Sequence, residues 1–202
     1  MSQHYEIGRM LRGSTTEFVV GCKVTQLEAP EFGALVRAPL GNGLQAYGLI
    51  ANISIEDDGL VKQLVTAENV EESVIADNRL NRNVPIEMTV LVVGHRNNSI
   101  HHLLPPRPPL SLDVIELCTA DEIAEFTAAG RFGYFRHILR AENVPVGELL
   151  AAHLKAAHTA HGDDGWAQRA AQELITLLRD DYATLTAVMG ALSDAVPEIT
   201  AG

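Results

Sequence analysis

The sequence predicts an α+β chain in which a small antiparallel β-barrel with glycine at its bends is followed by an α-helical bundle. Before residue 56, short runs rich in Val, Ile, Phe, Tyr and Thr alternate with breaks rich in Gly, Pro, Asn and Ser. Between about 57 and 83 the apolar residues change to helical spacing, and after Pro109 that spacing dominates the chain. The predicted units are a barrel over 1–104 with a helical insert at about 57–83, a proline-rich linker over 105–112 and an α-helical domain over 113–202.

Four runs of residues predict the first barrel strands. The runs are YEIGRMLR, EFVVGCKVTQL, FGALVRAP and LQAYGLIANISI, and the turn-forming stretches GSTT, EAPE and LGNG separate them. Glycine recurs where the bends and bulges of a small barrel need a residue without Cβ, at Gly8, Gly13, Gly21, Gly33, Gly41, Gly43 and Gly48.

The segment DDGLVKQLVTAENVEESVIADNRLNRN over 57–83 predicts one or two short helices inserted into the barrel. Asp57 and Asp58 are expected to cap the first of them. The strand pattern resumes as VPIEMTVLVVGHR, and Asn97-Asn98-Ser99 predicts a hairpin turn into IHHLLP. These closing strands complete the predicted barrel.

Beyond DVIEL the chain has only helical patterns. Thr119 followed by Glu122 predicts a capping box at a helix start, and Gly130 is suited to end that helix. A second helix is expected through RFGYFRHILRAEN, and a third from Pro145 to the break at HGDDG. The longest is expected over about 166–195, with an apolar stripe of Leu174, Leu177, Leu178, Leu185, Val188 and Leu192 and with Asp180 and Asp181 on its polar side.

Residues 101–112 read HHLLPPRPPLSL, at the boundary between the two patterns. Proline-rich segments adopt the stiff polyproline II conformation, so PPRPP predicts a semi-rigid spacer that sets how the helices sit on the barrel. The alternative is a polyproline ligand for an aromatic-lined groove of a partner protein.

The composition predicts a soluble cytoplasmic protein. Hydrophobic residues make up 47% of the 202 residues and charged residues 20%, as in ordinary globular domains. The N-terminus lacks the apolar stretch of a signal peptide, and no window approaches a membrane-spanning length. Cys22 and Cys118 are far apart and form no CxxC motif, so we expect two reduced thiols.

The sequence offers few candidates for chemistry. The motifs GxxxxGK[ST], GxGxxG after a strand, HExxH and GxSxG are all absent. His101-His102 and the set His153, His158 and His161 are the histidine groups to weigh as metal sites, and within the set only His158 and His161 share a helix face. Adjacent acids such as Glu71-Glu72 indicate helix caps and solvated surfaces, not an acid–base pair. We therefore expect no catalytic residue, no cofactor and no metal, and hence no enzyme activity.

Charge argues against strong binding to nucleic acid. The formal net charge is −11, and the acidic excess is larger after the linker: residues 1–112 carry 9 basic and 12 acidic residues, whereas 113–202 carry 6 and 14. The most plausible positive contacts to a partner or a nucleic-acid strand are Arg79, Arg82, Arg96 and Arg107. A solvated surface is the simpler interpretation of these dispersed arginines.

Three segments of the barrel region resemble one known domain family. GRMLRGSTTEFVV, FGALVRA at 32–38 and YGLIANI at 47–53 are similar to the HAS-barrel, the N-terminal β-barrel of HerA-type DNA translocases and of F-type ATP synthase subunits. The similarity covers about residues 5–104, including the closing strand PIEMTVLVVGH. In that family the barrel forms a collar on a ring of RecA-like motors and carries contacts between subunits and with partners.

The resemblance implies a binding function without ATPase activity, because acidic helices stand here where the family has its motor. It implies a regulatory or interaction subunit of a HerA-like ATPase and its NurA-type nuclease partner in DNA end processing, and side-by-side association into homo-oligomers. Two alternatives stay open, namely a barrel that binds single-stranded nucleic acid directly and an enzyme without a recognisable motif.

Overall fold

The computed structural model of the protein describes residues 5–22, 30–55, 66, 71–74, 76 and 86–197. Six antiparallel strands close into a barrel in the order β2-β1-β7-β3-β4-β5, with β5 pairing back to β2, and a short seventh strand, β6, extends the edge beside β5. The strands are β1 (Tyr5–Gly13), β2 (Glu17–Cys22), β3 (Leu35–Gly41), β4 (Leu44–Ile55), β5 (Ile86–Asn97), β6 (Ser99–His101) and β7 (Val114–Leu117). The prediction of an antiparallel barrel is confirmed.

Alternating apolar residues fill the barrel interior. Phe18 and Val20 of β2 face Val90 and Met88 of β5 across the closing pair of strands, and all four side chains have no exposed surface. Because side chains of a strand point alternately to opposite faces, the residues between them lie on the outside. In β4, by contrast, Ala46–Ala51 are all buried, since helices cover the outer face of this strand as well.

The tight turns follow the predictions. Asn98 adopts a left-handed φ of 61° in the hairpin between β5 and β6, which pairs Asn97 with Ser99. The β3–β4 turn is left-handed at Gly41, Asn42 and Gly43. Most of the insert at 57–83, with Asp57 and Asp58, lies outside the described residues, and the described residues 66, 72–74 and 76 are helical.

Strand β7 lies beyond the proline-rich segment and still belongs to the barrel. Val114–Leu117 is hydrogen-bonded between β1 and β3, with Ile115 opposite Gly8 and Leu117 opposite Val36. Residues before and after the linker therefore share one sheet. The division into units at 104 and 113 stays a prediction.

The described residues also form five α-helices: α1 (Ala120–Ala128), α2 (Phe135–Leu139), α3 (Val146–His161), α4 (Asp164–Leu177) and α5 (Tyr182–Ala195). The capping box that starts α1 is confirmed: the Glu122 amide donates to the Thr119 hydroxyl, and the Thr119 amide donates to the Glu122 carboxylate. The third predicted helix is confirmed as α3, which follows Pro145 and ends at Gly162.

Two predicted helices are corrected by the structure. The helix expected over 131–143 is only α2, because Arg131 and Phe132 adopt left-handed φ angles of 50° and 56° that a helix cannot include. The single helix expected over 166–195 is two helices, α4 and α5. Asp181 does not lie on a polar helix face; its carboxylate accepts a bond from the Thr184 amide and begins α5.

The helices share a second core with the outer face of the barrel. Tyr47 of β4 packs against Phe126 of α1, with ring centroids 5.0 Å apart, and Leu149 and Leu154 of α3 belong to the same apolar cluster. Whether the helices form an independent bundle stays a prediction. What the structure establishes is that they cover one side of the barrel and bury its outward-facing apolar residues.

One ion network ties the barrel to α1. The Arg37 guanidinium on β3 donates to Glu116 of β7 at 2.7 and 2.9 Å and to Glu122 of α1 at 2.5 Å. The Arg37 side chain is only 13% exposed, so solvent screens these contacts weakly. The network fixes the angle at which α1 leaves β7.

Two expectations from composition can be compared with the structure. Neither Cys22 nor Cys118 is in a disulfide bond, both are buried, and burial raises the pKa of the Cys118 thiol. No helix among the described residues has the length and apolar character needed to cross a membrane.

Candidate partner-binding surface

The structure describes two of the four arginines predicted to form a positive surface. Arg79 and Arg82 lie outside the described residues. Arg96 lies in β5 opposite Gln45, which itself lies opposite Pro39 of β3, and Arg107 donates from Nε to the carbonyl of Leu40 at 3.1 Å. Arg96 and Arg107 therefore both lie at the end of the barrel that carries the β3–β4 turn.

Arg96 is engaged within the chain. Its guanidinium donates to the Glu125 carboxylate on α1, and this bond raises the pKa of Arg96. The same guanidinium lies 6.0 Å from the ring centroid of Tyr47, and burial raises the pKa of the Tyr47 hydroxyl to about 12. Arg96 thus joins α1 to the barrel, while Arg107 bonds to a carbonyl group and forms no ion pair within the described part of the chain.

Hydrogen bonds at three points hold the proline-rich segment against the barrel. At its start, the Leu103 carbonyl lies 2.9 Å from Nδ1 of His95, and in its middle Arg107 bonds to Leu40. At its end, the Leu112 amide donates to the Met10 carbonyl at 2.9 Å. A segment tied at three points has little conformational freedom left to lose when it binds a partner.

This anchored segment presents two leucines to solvent on a rigid turn. Leu110 is 71% exposed and Leu112 is 67% exposed. The Asp113 carboxylate accepts a bond from the Leu110 amide at 2.7 Å, which closes the turn. Leu112 has a left-handed φ of 70°, which for a bulky residue costs about 1 kcal/mol or more.

Both leucine side chains are exposed, and the backbone of Leu112 is strained as well. The Arg9 guanidinium donates to the Leu112 carbonyl at 3.2 Å and so helps to hold the strained backbone in place. Sequence reasoning weighed the prolines and Arg107 and missed these leucines. The available signal was their position in LPPRPPLSL, where two leucines follow prolines that cannot continue a strand or a helix.

The histidines at 101 and 102 have separate surroundings. The His101 ring stacks on that of His95 with centroids 5.2 Å apart, and its Nε2 lies 3.0 Å from the Ser99 hydroxyl. His102 is buried, and its Nε2 lies 3.1 Å from the Phe126 carbonyl. Burial lowers the pKa of His102, so this ring is a neutral member of the core.

The other histidine set also divides among different contacts. His153 is completely buried and bonds to the Tyr134 hydroxyl at 3.2 Å, whereas His161 bonds to the Thr127 hydroxyl at 2.7 Å and stacks on Trp166. Within the part of the chain that the structure describes, no three His, Cys, Asp or Glu side chains are grouped so as to hold a metal ion.

The candidate partner-binding surface is therefore the turn with Leu110 and Leu112, together with the cation of Arg107 on the same segment. Its chemistry is that of a small apolar contact beside a cation, which suits a protein partner. A comparison of the sequence with protein-family models and with curated proteins gave no match to either.

Proposed function

We propose that the chain is a non-enzymatic interaction or regulatory subunit in the cytoplasm, and that its partner is a HerA-like ring ATPase or the NurA-type nuclease associated with it in DNA end processing. The resemblance of residues 5–104 to the HAS-barrel supports the class of partner. The observation that carries the proposed interaction is the exposed, strained turn at Leu110 and Leu112.

The turn supports a binding role on energetic grounds. Two leucines that are about two-thirds exposed leave apolar area in water, and burial of such area by a partner is worth about 25 cal/mol per Å². The backbone is already fixed by Asp113, Arg9 and β1, so binding does not have to order it.

Copies of the chain are proposed to associate side by side, as barrels of the HAS type do in rings. In such an assembly the chain would alter the loading or the rate of the ATPase without hydrolysing nucleotide itself. Purified protein should then release no phosphate from ATP, and its effect should appear only when the ring ATPase or the nuclease is added.

The test is affinity capture from the native host at moderate salt with the double variant Leu110→Ser/Leu112→Asn. Asparagine tolerates the left-handed backbone at 112, so the variant should fold at least as stably as wild type while it loses the apolar contact. We expect wild type to retain a ring ATPase or nuclease and the variant to lose it, with a weakening of about 2 kcal/mol or more in direct titration.

The matched control is Tyr182→Ser, which removes a 79% exposed apolar side chain at the start of α5 and should leave capture unchanged. Equal capture by wild type and the leucine variant would remove the turn from the interface. Binding of single-stranded DNA by the purified chain, strong and steeply salt-dependent, would favour the nucleic-acid alternative.

A further inference from the structure

A cavity of about 440 Å³ lies where α2 and the loop after it cover the outer face of the barrel. Its barrel wall includes Thr16 at the start of β2 and Thr89 of β5, and its helical wall includes Arg136, His137 and Arg140. Phe135 and Ile138 of α2 are fully buried and hold the helix in place. The cavity is in the size range of small-ligand sites.

Two cations line the cavity at α2. Arg136 lies within this helix and Arg140 directly follows its last residue, and both line the cavity. The Arg136 guanidinium donates to the carbonyl of His102 and has no carboxylate partner among the described residues. The Arg140 side chain makes no hydrogen bond or ion pair with any residue that the structure describes.

His137 lies between these charges. Its Nε2 lies 3.1 Å from the same His102 carbonyl, so in the neutral ring Nε2 carries the proton and Nδ1 is the free acceptor. Burial lowers the pKa of His137, the bond to His102 opposes this, and both Arg136 and Arg140 lower the pKa further. The cavity also has the carboxylates of Glu17 and Glu142 in its lining.

We propose that this cavity binds a small organic anion, and that Arg136 and Arg140 hold a phosphate or carboxylate group of that molecule while Thr89 lines the barrel side of the site. A phosphate or carboxylate would neutralise two cations that have no ion-pair partner in the described ranges, and it would form the charge-assisted hydrogen bonds for which guanidinium groups are suited. The anion would also favour protonation of His137, whose Nδ1 then becomes a further donor.

The two acids in the lining select the kind of anion. Glu17 and Glu142 repel an extended chain of phosphates that passes over the cavity, as does the net charge of −11. A free small molecule that places one anionic group near Arg136 and Arg140 avoids this repulsion. The inferred ligand is therefore a phosphorylated or carboxylated small molecule and not a nucleic-acid strand.

The test uses the full-length protein with inorganic phosphate and citrate as probes, and with sodium chloride at matched ionic strength as the reference. Calorimetry should show saturable binding of at least one probe. Arg140→Gln should weaken it roughly tenfold or more, since one charge-assisted bond is lost. The control Arg179→Gln removes an exposed arginine that pairs with the adjacent Asp180, and should bind like wild type.

A second readout is the NMR titration of the His137 ring with and without the probe. Bound anion should raise the pKa of His137 in wild type and not in Arg140→Gln. Absence of saturable binding by both probes, equal affinity of the two arginine variants, or an unchanged titration of His137 would each overturn the site. A single-stranded oligonucleotide should not compete with citrate when its phosphate groups are at the same concentration as the citrate. Competition that is present in wild type and lost in Arg140→Gln would overturn the small-molecule assignment.

Discussion

At the residue scale, His153 couples pH to the stability of the fold. Its ring is completely buried in the core under α3 and bonds to the Tyr134 hydroxyl at 3.2 Å. Burial lowers the pKa of His153 to about 4, against a smaller opposing effect of the Gly33 backbone. The neutral ring is therefore the form that the folded chain accommodates.

We predict that acidification destabilises the protein through His153. Between about pH 6.5 and pH 4 the unfolded chain binds a proton at this residue and the folded chain does not, so the free energy of unfolding falls as the pH falls. The loss from pH 7 to pH 5 should be about 2 kcal/mol. The variant His153→Gln keeps a hydrogen-bonding side chain for Tyr134. Measured by urea denaturation, its free energy of unfolding should fall by about 2 kcal/mol less than that of wild type between pH 7 and pH 5.

Tyr134→Phe is the matched control for this experiment. It removes the hydrogen bond and keeps the histidine, so it should lower the stability by about 1 kcal/mol at every pH and leave the pH dependence as in wild type. If His153→Gln and wild type lose stability in parallel between pH 7 and pH 5, the proton uptake belongs to other residues.

At the scale of elements, two glycines in regular structure have opposite roles. In β4, a Cβ at Gly48 would lie 2.4 Å from a methyl group of Val90 and 2.9 Å from the Leu91 carbonyl oxygen on the neighbouring strand. In α5, a Cβ at Gly190 would meet no atom within 4 Å. The first glycine permits close approach of two strands, and the second only weakens a helix.

We predict that the same substitution changes stability in opposite directions at these sites. Gly48→Ala should destabilise the protein by about 1 to 3 kcal/mol, because Val90 and the β5 backbone must move apart. Gly190→Ala should stabilise it by up to about 1 kcal/mol through helix propensity. Thermal and urea denaturation of both variants would measure this, and a Gly48→Ala protein as stable as wild type would contradict the packing argument.

At the scale of the whole molecule, strand β7 decides which part of the chain completes the barrel. Val114–Leu117 provides the strand between β1 and β3, so a chain that ends before it leaves both of those strands with an unpaired edge. The expected boundary at 104–113 can therefore be tested by comparing a fragment that ends before β7 with one that ends after it.

We predict that a fragment of residues 1–118 unfolds more cooperatively and at a higher temperature than a fragment of residues 1–104. The longer fragment contains β7 and the full set of paired strands, whereas the shorter one cannot close. Circular dichroism during heating would compare them. Equal melting temperatures and equal cooperativity of the two fragments would show that residues 1–104 form a folding unit without β7.

The sequence by itself determined the local features of this protein. Turn residues at 13–16, 41–43 and 97–99, the capping box at Thr119 and the start of α3 after Pro145 are all where their residue types predict. These features depend on backbone preferences and on hydrogen bonds between residues a few positions apart, so neighbouring residues suffice to specify them.

The tertiary structure alone decided where the chain divides and which side chains meet. The apolar spacing continues across Leu178 and Leu185, so it gave no sign that Asp181 would begin a new helix there. The insertion of β7 between β1 and β3, the exposure of Leu110 and the common cavity of Thr89 and Arg140 depend on contacts between residues far apart in the chain. Such contacts follow from the register of a closed barrel and from the packing of helices on its outer face, and no local pattern of residues encodes them.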